Sequence, residues 1–315
     1  MPVQDKITAA TTVAIVGAGI SGLACASQLQ AKGLTVRVFD KSAGVGGRMS
    51  TRRGPSWQCD HGAQYFTAQS AEFRQELARW EAAGVAGLWP ARMRVIDSAQ
   101  GPWRETGATT KRYVGVPSMT APAQLLAAAL PVQLNTHVDG LRREPRGWRL
   151  HILDKGWQDD LYDAVVLALP APQSKTLLAQ TPSTLQELVG EVRMRPAWAL
   201  MLHCDVSFDP GFDAAFVNSG PIRWIARNMS KPQRQGDNMW LLHATAQWSE
   251  SHLDAQPSAV KKILVRALQE ICPVLVRTSV AHRWRYADTE TLLGRDYLWD
   301  VQIGMGLCGD WLNEA

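Results

Sequence analysis

The most constraining stretch of the chain is Val13-Ala14-Ile15-Val16 running into Gly17-Ala18-Gly19-Ile20-Ser21-Gly22, with Asp40 twenty-one residues beyond Gly19. An apolar β-branched strand meets Gly-x-Gly-x-x-Gly, a helical pattern follows, and Val36-Arg37-Val38-Phe39-Asp40 ends a second strand. That is the βαβ dinucleotide fingerprint in its proper context. Gly17 permits the tight turn, Gly19 lets backbone approach a pyrophosphate, and Gly22 allows close helix–sheet packing. The diphosphate then rests on free N–H groups where the helix begins, at Ile20 and Ser21. Asp40, with Lys41 beside it, is placed to accept from ribose hydroxyls, which disfavours a 2′-phosphate. The alternative, a glycine-rich turn without a ligand, requires strand, turn, helix and acid to coincide by accident.

Length and composition bound the rest. At 315 residues, 46% hydrophobic and 20% charged, the sequence reads as about two ordinary globular domains. A net charge of +4 with no basic run beyond Arg52-Arg53 or Lys261-Lys262 gives no phosphate-tracking stripe, so no nucleic-acid partner is expected. Five scattered cysteines, without Cys-x-x-Cys spacing, argue against a disulfide framework or zinc site and for a reducing cytoplasm. No metal-ligand cluster is visible. The apolar start lacks a basic n-region and cleavage site, and no run approaches the roughly 18–20 apolar residues that span a bilayer. A soluble, unexported, cytoplasmic protein is the expectation.

Helical spacing predicts a first helix through Leu23, Ala24, Ala26 and Leu29 that stops at Gly33, a second from Ser70 to Gly84, and a third from Thr120 to Pro131. Ala164–Leu169, closed by Pro170, reads as a central parallel strand. Beyond it, Ala197–Cys204 and Met239–Thr245 read as strands. Asp254 is expected to cap a helix whose Val260, Ile263, Leu264, Ala267, Leu268 and Ile271 share one face. The second half is rich in tryptophan, with Trp198, Trp224, Trp240, Trp248, Trp284 and Trp299.

Two further pieces bear on chemistry. Gly46-Gly47-Arg48-Met49-Ser50 follows the ribose acid and suits a second backbone approach to a diphosphate, with Arg48 adding charge; the plain alternative is a loop with a solvated Arg. Gly306-Leu307-Cys308-Gly309-Asp310 is a short strand ending in Gly-Asp, where Asp310 can bond a sugar-like hydroxyl chain.

Together these pieces resemble the flavin-containing amine oxidase superfamily, and within it the bacterial renalase-like group. The finer likeness lies in Asp60-His61-Gly62-Ala63-Gln64-Tyr65-Phe66-Thr67, the Trp224–Pro232 block, Leu242–Ser249, Ala281–Ala287 and Cys308-Gly309-Asp310-Trp311. It implies non-covalent FAD and an α/β fold of two-domain p-hydroxybenzoate hydroxylase type, a Rossmann-type FAD domain with a mixed-sheet substrate domain. The implied partition is a discontinuous FAD domain (1–68, 114–172, 278–315) and a substrate domain (69–113, 173–277). The implied activity is oxidation of 2- or 6-dihydro-NAD(P) isomers, O2 becoming H2O2, with a dinucleotide and O2 as partners. The cofactor carries the hard chemistry, which agrees with a sequence lacking paired carboxylates, a Ser-His-Asp order or His-Glu-x-x-His. In the family, Gly-Asp-Trp leads into a helix facing the flavin pyrimidine; the 315 residues here stop at Leu312-Asn313-Glu314-Ala315, before it.

On this resemblance Gly17, Gly19, Ile20, Ser21, Gly22, Asp40, Lys41, Gly47, Arg48, Met49, Gln64, Tyr65, Phe66, Gly309 and Asp310 bind the cofactor. His243, His282, Trp284, Tyr286 and Asn228 carry catalysis, and Arg227, Lys231 and Trp224 hold substrate. Each has a plainer reading. His243 and His282 are also what satisfied core histidines look like, and Trp224, Trp284 and Tyr286 wall either a flat slot or an aromatic core. Arg227 and Lys231 hold phosphates or lie on a solvated loop. Cys308, in a strand, reads as a buried structural thiol, not a flavin attachment point. Two other functions stay open: oxidation of amines on the same fold, and a non-catalytic nucleotide-binding module.

Overall fold

Strand alternation sets the layers around the glycine-rich turn. In the computed structural model, which describes residues 11–106, 110–179, 181, 183–205 and 207–313, β1 (Thr12–Val16) sends Val13 and Ile15 to one face and Ala14 and Val16 to the other. Val13 and Ile15 pack on Leu23 and Ala26 of α1 (Ile20–Ala31) and on Val36 and Val38 of β2 (Thr35–Phe39). Ala14 and Val16 join a cluster with Leu141, Trp148 and Leu150 from an antiparallel sheet built of Val138–Glu144, Gly147–Ile152 and Gly156–Tyr162. Helix, parallel sheet and antiparallel sheet thus stack in three layers.

The parallel sheet runs Leu298–Asp300, Met305–Leu307, Ala164–Leu167, β1, β2, Val132–Gln133, and only its first strand is antiparallel. Ala164–Leu167 is buried throughout, as its uninterrupted apolar run predicts; Ala168 N–H still donates to the Val16 oxygen at 2.8 Å, and Pro170 follows two residues on. Helix α1 ends as expected, with Lys32 at its C-cap and Gly33 at φ +87°.

The expected second and third helices form at Ala71–Ala82, capped by Ser70 on Phe73 N–H, and at Ala121–Ala127. The expected later strands are Met194–Cys204 and Met239–Ala244, inside a seven-stranded mixed sheet with Val276–Thr289, Ile222–Arg227, Ala214–Val217, Met93–Ile96 and Arg104–Glu105. The long helix begins at Pro257 and ends at Ile271, with Gln256 and not Asp254 at its N-cap. Its Val260, Leu264 and Leu268 cover one sheet face with Trp198, Leu200, Leu202, Trp240 and Leu242. The opposite face carries Ala199, Met201, Met239 and Leu241.

The described residues gather into two compact units, one within Met1–Gly47, Ala123–Met194 and Asp288–Ala315, the other within Arg48–Pro122 and Arg195–Ala287. The boundaries differ from those read off the sequence: 48–68, 114–122 and 278–287 go with the second unit and 173–194 with the first. The reason is packing, since the Gly-Gly-Arg turn continues into the short hairpin Thr51–Arg53 with Gln58–Asp60, which buries Cys59 against the seven-stranded sheet. Among the described residues no helix is long and apolar enough to cross a membrane. Glu314 and Ala315 lie outside the described residues.

Candidate functional site

In the first unit the three fingerprint glycines prove physically different. A Cβ on Gly17 would stand 2.4 Å from the Ala168 carbonyl oxygen, and Gly17 sits at φ +112°. A Cβ on Gly22 would meet the Gly17 oxygen at 2.1 Å and the Ala168 Cβ at 2.9 Å. These two are glycines because protein fills the space. At Gly19 nothing lies within 4 Å. Gly19 is also the N-cap of α1, and no side chain caps that end. Uncapped amides beside open space at a helix N-terminus are what a diphosphate requires, so these residues fit a dinucleotide cofactor.

Tertiary contact brings the second glycine turn to the first. Gly46 N–H donates to the Ala18 oxygen at 2.8 Å, and a Cβ on Gly47, at φ +51°, would stand 3.4 Å from the Gly19 Cα. Asp40 follows β2 and accepts from Ala18 N–H and Ser42 N–H, each at 2.7 Å. Each oxygen keeps a lone pair for a ribose hydroxyl while the backbone bonds fix its aim. Lys41 is exposed. Trp311 Nε1 donates to the Leu169 oxygen at 2.9 Å, pinning the strand end that carries Gly309 and Asp310.

In the second unit, alternation along Val276–Thr289 puts His282, Trp284 and Tyr286 on one side of the sheet and Arg283 and Arg285 on the other. Arg283 lies over Trp198, within the helix-covered core. His282 meets His61 edge-on at 4.8 Å between ring centroids, and Trp284 stacks on His61 at 5.1 Å. The His61 carbonyl oxygen accepts from Trp284 Nε1 at 2.9 Å and from His243 Nε2 at 3.1 Å. A carbonyl only accepts, so His243 carries its proton on Nε2 and presents Nδ1 as a lone pair. His61, His243, His282 and Trp284 therefore form one cluster.

These imidazoles are neutral at ordinary pH. Burial, with help from His282 and Arg52, pushes His61 down to about 4. Burial and then Arg223 push His243 down to about 3, and burial and then Arg52 lower His282. Asp60 offsets this at His61, but its carboxylate is already bound elsewhere.

That binding corrects several expectations. Lys231 is not on a solvated loop; it is buried, its Nζ 3.0 Å from Asp60 Oδ2 and 3.2 Å from Gln64 Oε1. Arg234 joins the same oxygen at 2.7 Å, and both cationic side chains and Asp60 have no exposed surface. Gln64 does not reach out to a cofactor: its Nε2 donates to the Asp60 and Gly62 oxygens. Asn228 is buried and engaged in the same way, accepting from Asp60 N–H at 3.1 Å and donating to the Gln58 oxygen at 2.9 Å. Phe66 packs into an aromatic group with Phe73, Trp80 and Tyr113, so its role is core. Trp224 is buried at 5% exposure between Tyr65, Phe216 and Trp89, a wall and not a free platform. Arg227 bonds Asn238 Oδ1 through Nε at 3.2 Å. Met49 packs against the cluster that holds Trp224 and Tyr65, and Arg48 donates to the Ala287 oxygen. Sequence reasoning assigned no role to His61, Arg234 or Arg52; the adjacent Asp-His of the 60–67 block was the available signal.

Among the described residues no group of three or more His, Cys, Asp or Glu is placed to hold a metal. The family profile described as "NAD(P)-binding Rossmann-like domain" matches residues 15–80, and that described as "Flavin containing amine oxidoreductase" matches residues 78–290. The mitochondrial protoporphyrinogen oxidase of Nicotiana tabacum is 36% identical over 69 residues, 22% of this chain and 14% of that protein. The chain spans a third or less of the length of that and the other curated relatives it matches. Among solved structures, a putative protoporphyrinogen oxidase from Exiguobacterium sp. 255-15 superposes with a TM-score of 0.73 at 13% identity, covering 96% of this chain and 94% of the other. Putrescine oxidase bound to putrescine gives 0.66 at 14% identity, covering 86% and 84%. These likenesses show the fold: α/β, with a Rossmann-like unit and mixed sheets. They are to amine oxidase folds and not specifically to p-hydroxybenzoate hydroxylase.

Proposed function

Because the chain belongs to the flavin-containing amine oxidoreductase family and uses FAD, we propose that it is a renalase-like oxidase of 2- and 6-dihydro-NAD(P) isomers. The observation that carries this reading is the electrostatics of the His61–His243–His282–Trp284 cluster. Its three imidazoles are neutral, and the charges that act on them are mostly positive: Arg52 on His61 and His282, Arg223 and Lys231 on His243. Such a face suits a polyanionic dinucleotide with a flat, uncharged ring. It opposes an ammonium substrate, which is the second reading, favoured by the family description and by the likeness to putrescine oxidase.

Bound FAD supplies the hydride acceptor and returns the electron pair to O2 as H2O2. The protein's part is then to bind, orient and exclude. Trp284 and Tyr286 offer flat apolar surface to a dihydropyridine ring. His243 Nδ1, held as an acceptor by the Nε2–H bond to the His61 oxygen, is suited to take an N–H of the ring's carboxamide. Loss of a hydride from a dihydronicotinamide releases no proton, so that step needs no base, and the one proton that completes H2O2 comes from solvent. In the glycine cradle, Gly19 admits the cofactor diphosphate and Asp40 takes a ribose hydroxyl.

Stopped-flow mixing of the anaerobic yellow protein with 2- and 6-dihydro-NAD(P), and with a panel of primary and secondary amines, decides between the readings. Fast bleaching of the flavin by an isomer and not by amines is expected. Bleaching by amines alone reverses the assignment, and a protein that purifies with no flavin spectrum supports the non-catalytic nucleotide-binding module.

A further inference from the structure

We propose that Arg52 anchors the diphosphate of the dinucleotide substrate, a role that rests on the function proposed above. The short hairpin fixes its position. Thr51 pairs with Asp60 and Arg52 with Cys59, and His61 N–H continues the ladder to the Ser50 oxygen. Alternation then separates two sets of side chains. Thr51 and Asp60 share one face, where Thr51 Oγ1 donates to Asp60 Oδ1 at 2.6 Å beside Lys231 and Arg234. Arg52, Cys59 and, diagonally across the ladder, His61 share the other. On that face Cys59 packs in a cluster with Trp284, and His61 stacks on Trp284 and meets His282.

The Arg52 side chain is exposed and makes no hydrogen bond or ion pair with any described residue. Its neighbours on the chain are engaged: Arg53 donates to Ser118 Oγ at 3.1 Å and Arg48 to the Ala287 oxygen. The two cations that sequence reasoning offered for substrate phosphates are also committed, Lys231 inside the buried ion cluster and Arg227 to Asn238. That leaves an unengaged guanidinium, a planar fork of donors matched to phosphate oxygens. It sits diagonally across from the ring cluster proposed to receive the nicotinamide. Its charge also acts on both His61 and His282, which agrees with that placement.

The test uses FAD-loaded protein and two probes, ADP-ribose, which carries the diphosphate without the ring, and nicotinamide riboside, which carries the ring without phosphate. Isothermal titration of wild type, Arg52→Gln, Arg52→Lys and Arg227→Gln is compared at low and moderate salt. Arg52→Gln is expected to weaken ADP-ribose binding about 10- to 100-fold, the range for one charge-assisted phosphate contact. Arg52→Lys should recover part of the loss, Arg227→Gln should bind as wild type does, and nicotinamide riboside should bind equally to all four. Added salt should weaken ADP-ribose binding to wild type more than to Arg52→Gln. Equal ADP-ribose affinity in wild type and Arg52→Gln overturns the assignment, as does a loss confined to Arg227→Gln. So does an Arg52→Gln protein that loses FAD but binds ADP-ribose normally once reloaded, because Arg52 would then serve the cofactor's phosphates. If Arg52-dependent binding is found but no dihydronicotinamide isomer bleaches the flavin, the anchor stands and the proposed reaction fails.

Discussion

Asp60 holds two buried cations, and the three side chains together carry one excess positive charge in a place with no exposed surface. Replacing Asp60 by Asn removes the carboxylate that accepts from Lys231, twice from Arg234, from Thr51 and from Met119 N–H. The excess charge rises from one to two with no water to screen it. Breaking a buried pair from one side typically costs about 3–5 kcal/mol. For a unit of this size that is a fall of about 6–20 °C in the unfolding midpoint. Replacing Lys231 by Met does the opposite. It leaves Asp60 and Arg234 as a balanced pair at 2.7 Å and removes an ammonium whose charge burial disfavours, lowering its pKa. The remaining losses are one contact to Asp60, one to Gln64 and the ammonium's place 5.4 Å from the Trp89 ring centroid. A cost below about 1.5 kcal/mol is expected, in line with buried ion groups exchanged for apolar ones. Urea unfolding of both variants, followed by tryptophan fluorescence, gives the comparison. If Lys231→Met is as destabilised as Asp60→Asn, the cluster needs both cations and the charge argument is wrong.

Gly19→Ala is expected to leave the thermal midpoint of the cofactor-free protein within about 1 °C and to lower FAD content, because its Cβ enters space that no protein atom occupies; Gly22→Ala should instead lose folded yield, its Cβ facing the Gly17 oxygen at 2.1 Å. Equal behaviour of the two variants would count against the cradle. His61 and His243, held near 4 and 3 in the fold against about 6.5 unfolded, contribute stability that is complete above pH 6.5 and is lost as pH falls toward 4 and then 3. A midpoint that declines over that window in wild type, and declines less in His61→Gln, is the expected result of melting at stepped pH. Acid precipitation should release FAD to the supernatant: Cys308 is paired with the Cys25 thiol, and that pairing with burial raises its pKa, leaving no thiolate for attachment. Flavin retained in the pellet would refute this.

What was legible in the sequence depended on short range. The β1–turn–α1 unit, Asp40 and the Gly46-Gly47 turn could be read because each role is set by conformation within a few residues of chain. Even there, only the folded structure separates Gly19, which faces open space, from Gly17 and Gly22, which face protein. The burial of Lys231, Gln64 and Asn228 is not legible in the sequence. Lys231 and Asn228 find partners about 170 positions back, at Asp60 and Gln58, and the Gln64 side-chain oxygen accepts from Lys231; no local pattern announces a buried charge. Arg52 stands in the sequence only as half of a short basic run; the ladder shows that Arg53 is engaged and that Arg52 shares a face with Cys59. The helix start moved from Asp254 to Pro257 because a proline at the first helical turn outweighs a preceding Asp.

The order of strands in the six-stranded sheet also has a consequence for synthesis. Met305–Leu307 fills the slot between Ala164–Leu167 and Leu298–Asp300, so Val165 waits for a partner 140 positions later in the chain. While the ribosome makes the intervening residues, a wholly apolar strand presents an unpaired edge, the condition that favours mispairing between nascent chains. Gly309 and Asp310, just past the end of that late strand, emerge later still. Expression that slows elongation or supplies holding chaperones should therefore raise the yield of flavin-loaded protein more than added riboflavin does.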